Sequence, residues 1–173
     1  LPESEWQKAH ASFSHGKGPA GKWQYKDEVS KGIFDTSDWV ITLEDITFSL
    51  KLLPSKHVGL FPEQSAHWNW LQEKIKLRVN SGIPVSVLNL FGYTGVASLF
   101  ALRAGAEVTH LDASKQTLAW AKENQSINPD LKNLPMRVIE DDALKFLERE
   151  EKRGNSIKPQ KSQCILYVRF LSL

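Results

Sequence analysis

The 173-residue chain has one cysteine, Cys164, and one methionine, Met136. A single cysteine excludes an internal disulfide framework and accords with a reducing compartment. No apolar run is long enough to span a bilayer, and no signal-peptide pattern opens the chain, so a cytoplasmic protein without membrane association is expected. Charge of one sign is also scarce. A formal net charge of +2 is too mild to argue for nucleic acid by itself. The first residue is Leu1 and not Met, so the chain is expected to begin inside a longer reading frame.

Two glycine signatures are broken or missing. Gly16 to Lys22 reads GKGPAGK, which satisfies the G-x-x-x-x-G-K half of a P-loop. Trp23 follows where a magnesium-binding Ser or Thr belongs, Pro19 lies inside, and no strand is expected before it. A flexible loop accounts for the stretch better than an ATP site. Residues 1–31, rich in Gly, Lys, Ser and His, show no sustained period and read as a loop-dominated arm.

Regular patterns begin after that. In WVITLEDITFSLKL (Trp39 to Leu52), Ile46, Phe48, Leu50 and Leu52 alternate with polar residues, which predicts a hairpin turning at Glu44-Asp45. HVGLFPEQSAHW (His57 to Trp68) leads into a helix whose Trp68, Leu71, Ile75 and Val79 share one face. Val85 to Phe91 is a near-continuous apolar run, as in a strand covered on both faces. Thr94 is placed to cap a helix to about Ala104, stopped by Gly105. EVTHLD (Glu107 to Asp112) predicts a second strand, and Ser114 caps a helix through about Asn124. Met136 to Glu140 predicts a third strand, with Asp141-Asp142 capping a helix to about Arg153. The alternation implies an α/β fold, a Rossmann-like parallel sheet preceded by a small segment with a β-hairpin. The expected organisation is an arm and hairpin over 1–56, a connecting helix over 57–82, and a partial cofactor-binding domain over 83–173.

Ligands of open parallel sheets sit at the carboxyl ends of the strands. That rule selects three clusters: Asn89 to Gly95, Asp112 to Ser114, and Asp141 to Ala143. A strand–glycine turn–helix unit suits a phosphate, a dinucleotide or an uncharged nucleoside-like cofactor. Gly92 and Gly95 let a backbone approach a ligand, but the pattern is not G-x-G-x-x-G, and Tyr93 stands where a pyrophosphate-cradling turn favours a small residue. Asp112 follows Gly92 by twenty residues, where a carboxylate can accept both protons of a ribose diol. Asp142 can accept from an adenine amino group, with the Ala143 N–H beside it for a ring nitrogen. The plainer alternative is that Asp112 and Asp142 are helix N-caps and Gly95 a packing residue.

The string LNLFGYTGVASLFALRAGAEVTHLDASKQTLAWAKEN (Leu88 to Asn124) resembles the class I S-adenosylmethionine-dependent methyltransferases, in the branch related to the bacterial 23S ribosomal RNA large-subunit enzymes. The L-N-x-F-x-Y-T-G signature carries the resemblance. HVGLFPEQSAHW resembles the family segment that folds over the cofactor, and EDDALKFLEREEKRG (Glu140 to Gly154) its third motif. The resemblance implies that Asn89, Gly92, Tyr93, Thr94 and Gly95 surround the methionine moiety of S-adenosyl-L-methionine. It assigns the ribose to Asp112 with Ala113 and Ser114 beside it, and the adenine to Asp142 and Ala143. Gln64 and Phe61 would close the site; on its residues alone, Phe61 reads as core. RNA, ribosomal RNA above all, is the implied methyl acceptor, and no metal is implied.

After Gly154 the resemblance ends. The family's Asp-Pro-Pro motif is absent, and the chain reads as truncated or frame-shifted beyond its third motif. CILYVRFLSL (Cys164 to Leu173) has strand composition and is expected to lie where the fourth strand belongs, with an exposed edge and poor solubility as consequences. The basic residues between Lys145 and Arg169 read as a solvated face, and Cys164 as a packed apolar residue and not a nucleophile. Two other functions fit the pattern less closely: an inactive cofactor- or RNA-binding remnant, and an NAD-dependent oxidoreductase.

Overall fold

The computed structural model describes residues 2–16, 21–35, 39–154 and 163–166. The chain divides into two compact units, 1–43 with 47–60 and 44–46 with 61–173.

The first unit overturns the expectation of a loop-dominated arm. It contains α1 (Glu3–Trp6), an antiparallel pair β1 (Ala11–His15) and β2 (Gly21–Tyr25), and α2 (Glu28–Asp35). Cross-strand aromatic pairing explains the hairpin. Phe13 faces Trp23 in register, with ring centroids 5.2 Å apart, and Tyr25 meets Phe34 of α2 at 5.9 Å. The period-two signal is present in Ala11, Phe13, Trp23 and Tyr25, but intervening Ser, Lys and Gln and a glycine-rich connection hide it. A strand does precede GKGPAGK, and β2 begins within it at Gly21, with residues 17–20 outside the described set. A strand–loop–strand unit lacks the helix a P-loop requires. The second hairpin, β3 (Val40–Leu43) and β4 (Ile46–Ser49), turns at Glu44-Asp45 as expected. Both turn residues have positive φ, 45° and 68°, the mirror-image turn that matches strand twist.

In the second unit, a 3₁₀ turn (Pro62–Gln64) enters α3 (Ser65–Asn80). Trp68, Leu71 and Ile75 are buried along the predicted face, and Trp68 stacks on Phe100 at 5.6 Å. Then come β5 (Ser86–Asn89), α4 (Val96–Arg103), β6 (Glu107–Asp112), α5 (Lys115–Ser126), β7 (Met136–Glu140), α6 (Ala143–Lys152) and β8 (Gln163–Leu166). The four strands pair in parallel in the order β7-β6-β5-β8. Gly105, at φ 94°, terminates α4 as expected, and Ser114 caps α5 by accepting the Thr117 N–H. Thr94 does not cap α4. The cap position is Gly95 at φ 90°, while Thr94 is fully buried with its carbonyl held by Asn124 Nδ2 at 2.8 Å. β8 pairs with β5 from Ser86↔Gln163 to Asn89↔Leu166, where the tail strand was expected; residues 167–173 and the Cys164 side chain lie outside the described set.

Strand order reverses at β5, since β6 and β7 extend to one side and β8 lies on the other. The crevice of a doubly wound sheet opens at such a reversal, outside the strand carboxyl ends. Asn89, the last residue of β5, is therefore the natural floor of a ligand site.

Candidate cofactor site

Asn89, His110 and Glu140 to Asp142 come together because the strands are in register. Asn89 pairs with His110, and Asp112 with Glu140. The connection Leu90–Gly95 crosses above β6, tied down by Gly92 N–H donating to the Leu111 carbonyl at 2.9 Å.

Asp112 is the organising group. Its Oδ2 accepts the Tyr93 N–H at 2.8 Å, and its Oδ1 accepts the Ser114 N–H at 2.9 Å. The Thr117 hydroxyl lies 3.0 Å from Oδ1 and 2.8 Å from the Ser114 carbonyl, so its one proton is shared. A carboxylate has about four acceptor positions. Two are committed to main-chain donors and Thr117 claims a third that it can surrender to Ser114, which leaves room for a diol. Asp112 is not the helix cap; Ser114 is.

At the next strand end, Asp142 does cap its helix. Its Oδ1 accepts the Lys145 N–H at 3.0 Å, and the residue is exposed. Asp141 pairs with Arg149 and accepts the Asp142 N–H at 2.9 Å, while its own N–H donates to the Asp112 carbonyl at 3.1 Å. Ala143, buried, begins α6. Ala113 is exposed between Asp112 and Ser114.

The two glycines have internal reasons to be glycine. A Cβ on Gly92 would lie 2.2 Å from His110 Cε1, and one on Gly95 would lie 3.1 Å from the Ala121 Cβ at a φ of 90°. Gly92 packs on the imidazole below it, and Gly95 makes the left-handed turn into α4 against α5. Ligand approach is not needed to explain either.

Above the turn, Phe61 and Tyr93 have ring centroids 5.4 Å apart, and Tyr93 lies 6.3 Å from Trp120. Tyr93 has φ 49°, the left-handed region that a tyrosine rarely adopts. Gln64 Oε1 is 2.8 Å from His67 Nδ1; a carboxamide oxygen only accepts, so this nitrogen carries the proton. Phe61 is half-buried and not core.

Beneath the turn lies a group that sequence reasoning missed. His110 is fully buried, with Nδ1 2.9 Å from Ser98 Oγ, which accepts from Asn89 Nδ2 at 3.0 Å. Burial pushes the imidazole down to about 4, against the opposing pull of the Asp112 charge and the Tyr93 main chain. It is therefore neutral at physiological pH. The available signal was a histidine two residues after Val108, on the same face of the strand and next to Leu111. Asn89 Oδ1, on a residue 1% exposed, has no hydrogen-bond partner among the described residues. An orphaned acceptor at the floor of the crevice, beside a carboxylate with room for a diol, fits a ligand that brings both a donor and a ribose.

No protein-family model matches the chain. It is 34% identical over 102 residues to the ribosomal RNA large subunit methyltransferase K/L of Pseudoalteromonas translucida (strain TAC 125), a match covering 58% of this chain and 13% of that protein. A crystal structure of a SAM-dependent methyltransferase from Agrobacterium tumefaciens superimposes with a TM-score of 0.76 and 44% identity, over 89% of this chain and 46% of that one. SMU.776, solved in complex with SAH, shares the fold at 21% identity and a TM-score of 0.53. The chain thus spans under half the length of these relatives, the first two of which are named as methyltransferases. In sequence and in fold, the chain is a relative of the class I S-adenosylmethionine-dependent methyltransferases.

Proposed function

We propose that this chain is the cofactor-binding portion of an S-adenosylmethionine-dependent methyltransferase acting on RNA, with ribosomal RNA the favoured acceptor and the cytoplasm its location. The carrying observation is the Asp112 carboxylate at the end of β6, oriented by the Tyr93 and Ser114 amides with acceptor capacity to spare. The name of the curated relative supports RNA as the acceptor.

In this reading Asp112 holds the ribose hydroxyls, flanked by Ala113 and Ser114. Asp142 and Ala143 meet the adenine. Asn89 and the Gly92–Gly95 turn, Thr94 included, surround the methionine moiety, and Asn124 holds the turn by the Thr94 carbonyl. Gln64 and Phe61 cover the site. When bound, the cofactor supplies an activated methyl group on its sulfonium. The protein's part is to hold that group in line with an acceptor and to exclude water, a positional form of catalysis.

Calorimetric titration with S-adenosylhomocysteine, against NADH as control, tests the reading. Binding of the first alone is the expected result; binding of NADH alone, or of neither by a folded chain, would sink it. Methyl transfer from labelled cofactor to total RNA, compared with total protein, then tests the acceptor.

A further inference from the structure

Asn89, Ser98 and His110 come from β5, α4 and β6 and form one buried relay beneath the turn. Ser98 has a single proton, and when that proton stays within the relay, the relay closes in two ways. In the first, the Asn89 amide donates to Ser98, Ser98 donates to His110 Nδ1, and the imidazole proton sits on Nε2. The amide oxygen is then left over. In the second, Nδ1–H donates to Ser98, Ser98 donates to the amide oxygen, and the amide NH₂ is left over.

The orientation of the amide chooses between them. Asn89 Nδ2 is the atom facing Ser98, and Oδ1 is the atom without a partner among the described residues. That orientation selects the first arrangement.

We propose that His110 is a positioning residue that, by keeping its proton on Nε2, sets the direction of the Ser98 relay and so turns an acceptor, Asn89 Oδ1, toward the ammonium group of the cofactor. This rests on the methyltransferase reading above. The reversed relay would put an NH₂ donor against a cation and disfavour binding. The charged group nearest His110 is Asp112 on its own strand; Ser98 on α4 and Asn89 on β5 are neutral.

The test has two arms on the full chain. Long-range ¹H–¹⁵N spectra of the five histidines, with His110 identified by the loss of its signals in His110→Asn, report the tautomer. An Nε2–H pattern that persists from about pH 8 to about pH 5 is expected. An Nδ1–H tautomer or an imidazolium at neutral pH overturns the proposal. The second arm compares S-adenosylhomocysteine with 5′-methylthioadenosine, which keeps the nucleoside and lacks the ammonium group. Ser98→Ala is expected to weaken the first by about tenfold, as for one hydrogen bond to a charged group, and to leave the second unchanged. Equal losses for both ligands, or loss for neither, would mean a merely structural relay and overturn it. If the wild-type chain binds neither compound while His110 shows the Nε2–H tautomer, the cofactor reading fails and the ammonium assignment falls with it.

Discussion

Gly92→Ala is expected to destabilise the parallel-sheet unit, and His110→Ala to relieve most of that effect. A Cβ at position 92 would lie 2.2, 2.5 and 2.6 Å from Cε1, Nδ1 and Nε2 of His110. The ring is fully buried and anchored on Ser98, so the ring or the turn must shift. Overpacking of this kind costs about 1–3 kcal/mol. The backbone is not the obstacle, because Gly92 does not have a positive φ and alanine can adopt its conformation. His110→Ala alone leaves an imidazole-sized void and deprives Ser98 of its acceptor, a loss of about 2–4 kcal/mol. In the double variant the new methyl group enters the vacated space. The cycle should therefore show a compensating coupling of about 1–3 kcal/mol. Urea unfolding followed by circular dichroism provides the measurement, with equal slopes required for a valid comparison. Exchange protection of the Gly92 N–H, bonded to the Leu111 carbonyl, reports the same effect locally. Additivity within about 0.5 kcal/mol would refute the view that His110 dictates glycine at position 92.

Asp112→Asn and Asp112→Ala are each expected to weaken S-adenosylhomocysteine by about tenfold or more, since hydrogen bonds to a charged acceptor are lost. Both variants should also lower the unfolding midpoint, because alanine strands the Tyr93 and Ser114 N–H donors and asparagine, with a single acceptor oxygen, strands one of the two; unchanged affinity in both would remove Asp112 from the site. The buried, neutral His110 makes stability pH-dependent in a defined window. The unfolded chain takes up this proton near 6.5 and the folded chain only near 4, so stability is undiminished above 6.5 and falls as the pH drops toward 4. The loss is about 3 kcal/mol when complete, and acid titrations of wild type and His110→Asn should differ by that order. Gly95→Ala should cost about 1–3 kcal/mol, from the left-handed φ and the close Ala121 contact, read as a fall in urea midpoint. Ser114→Ala should cost about 1 kcal/mol by removing the α5 cap, read in the same way.

How much of the site was legible depended on the range of each interaction. Asp112 could be selected from sequence because its position follows from strand length and the rule for parallel sheets. Its three donors could be foreseen only in part: Ser114 and Thr117 are near in sequence, whereas Tyr93 is nineteen residues away. Asp142 is the helix cap of the plainer reading, and capping through Oδ1 leaves Oδ2 for the functional one. Thr94 was misjudged as a cap because capping residues are chosen by local preference, while the buried Asn124 amide holds its carbonyl from thirty residues on. The arm over residues 1–31 was misjudged because its hairpin is stabilised across the strands by Phe13 and Trp23, and not by a sustained apolar pattern along them.

The sequence by itself determined the alternation of strands and helices from Val85 to Gly154. Each of those elements is written in local terms: an apolar run, a capping Ser114, a stop at Gly105. Only the tertiary structure decided what the glycine turn holds. Gly92 is there for the His110 ring, Gly95 for Ala121, and Asn89 is oriented through Ser98, all contacts between elements brought side by side by strand pairing. A hydrophobic period carries a strand's location because burial acts residue by residue. The direction of a buried hydrogen-bond relay depends on which three side chains meet, and that is settled only when the sheet has closed its register.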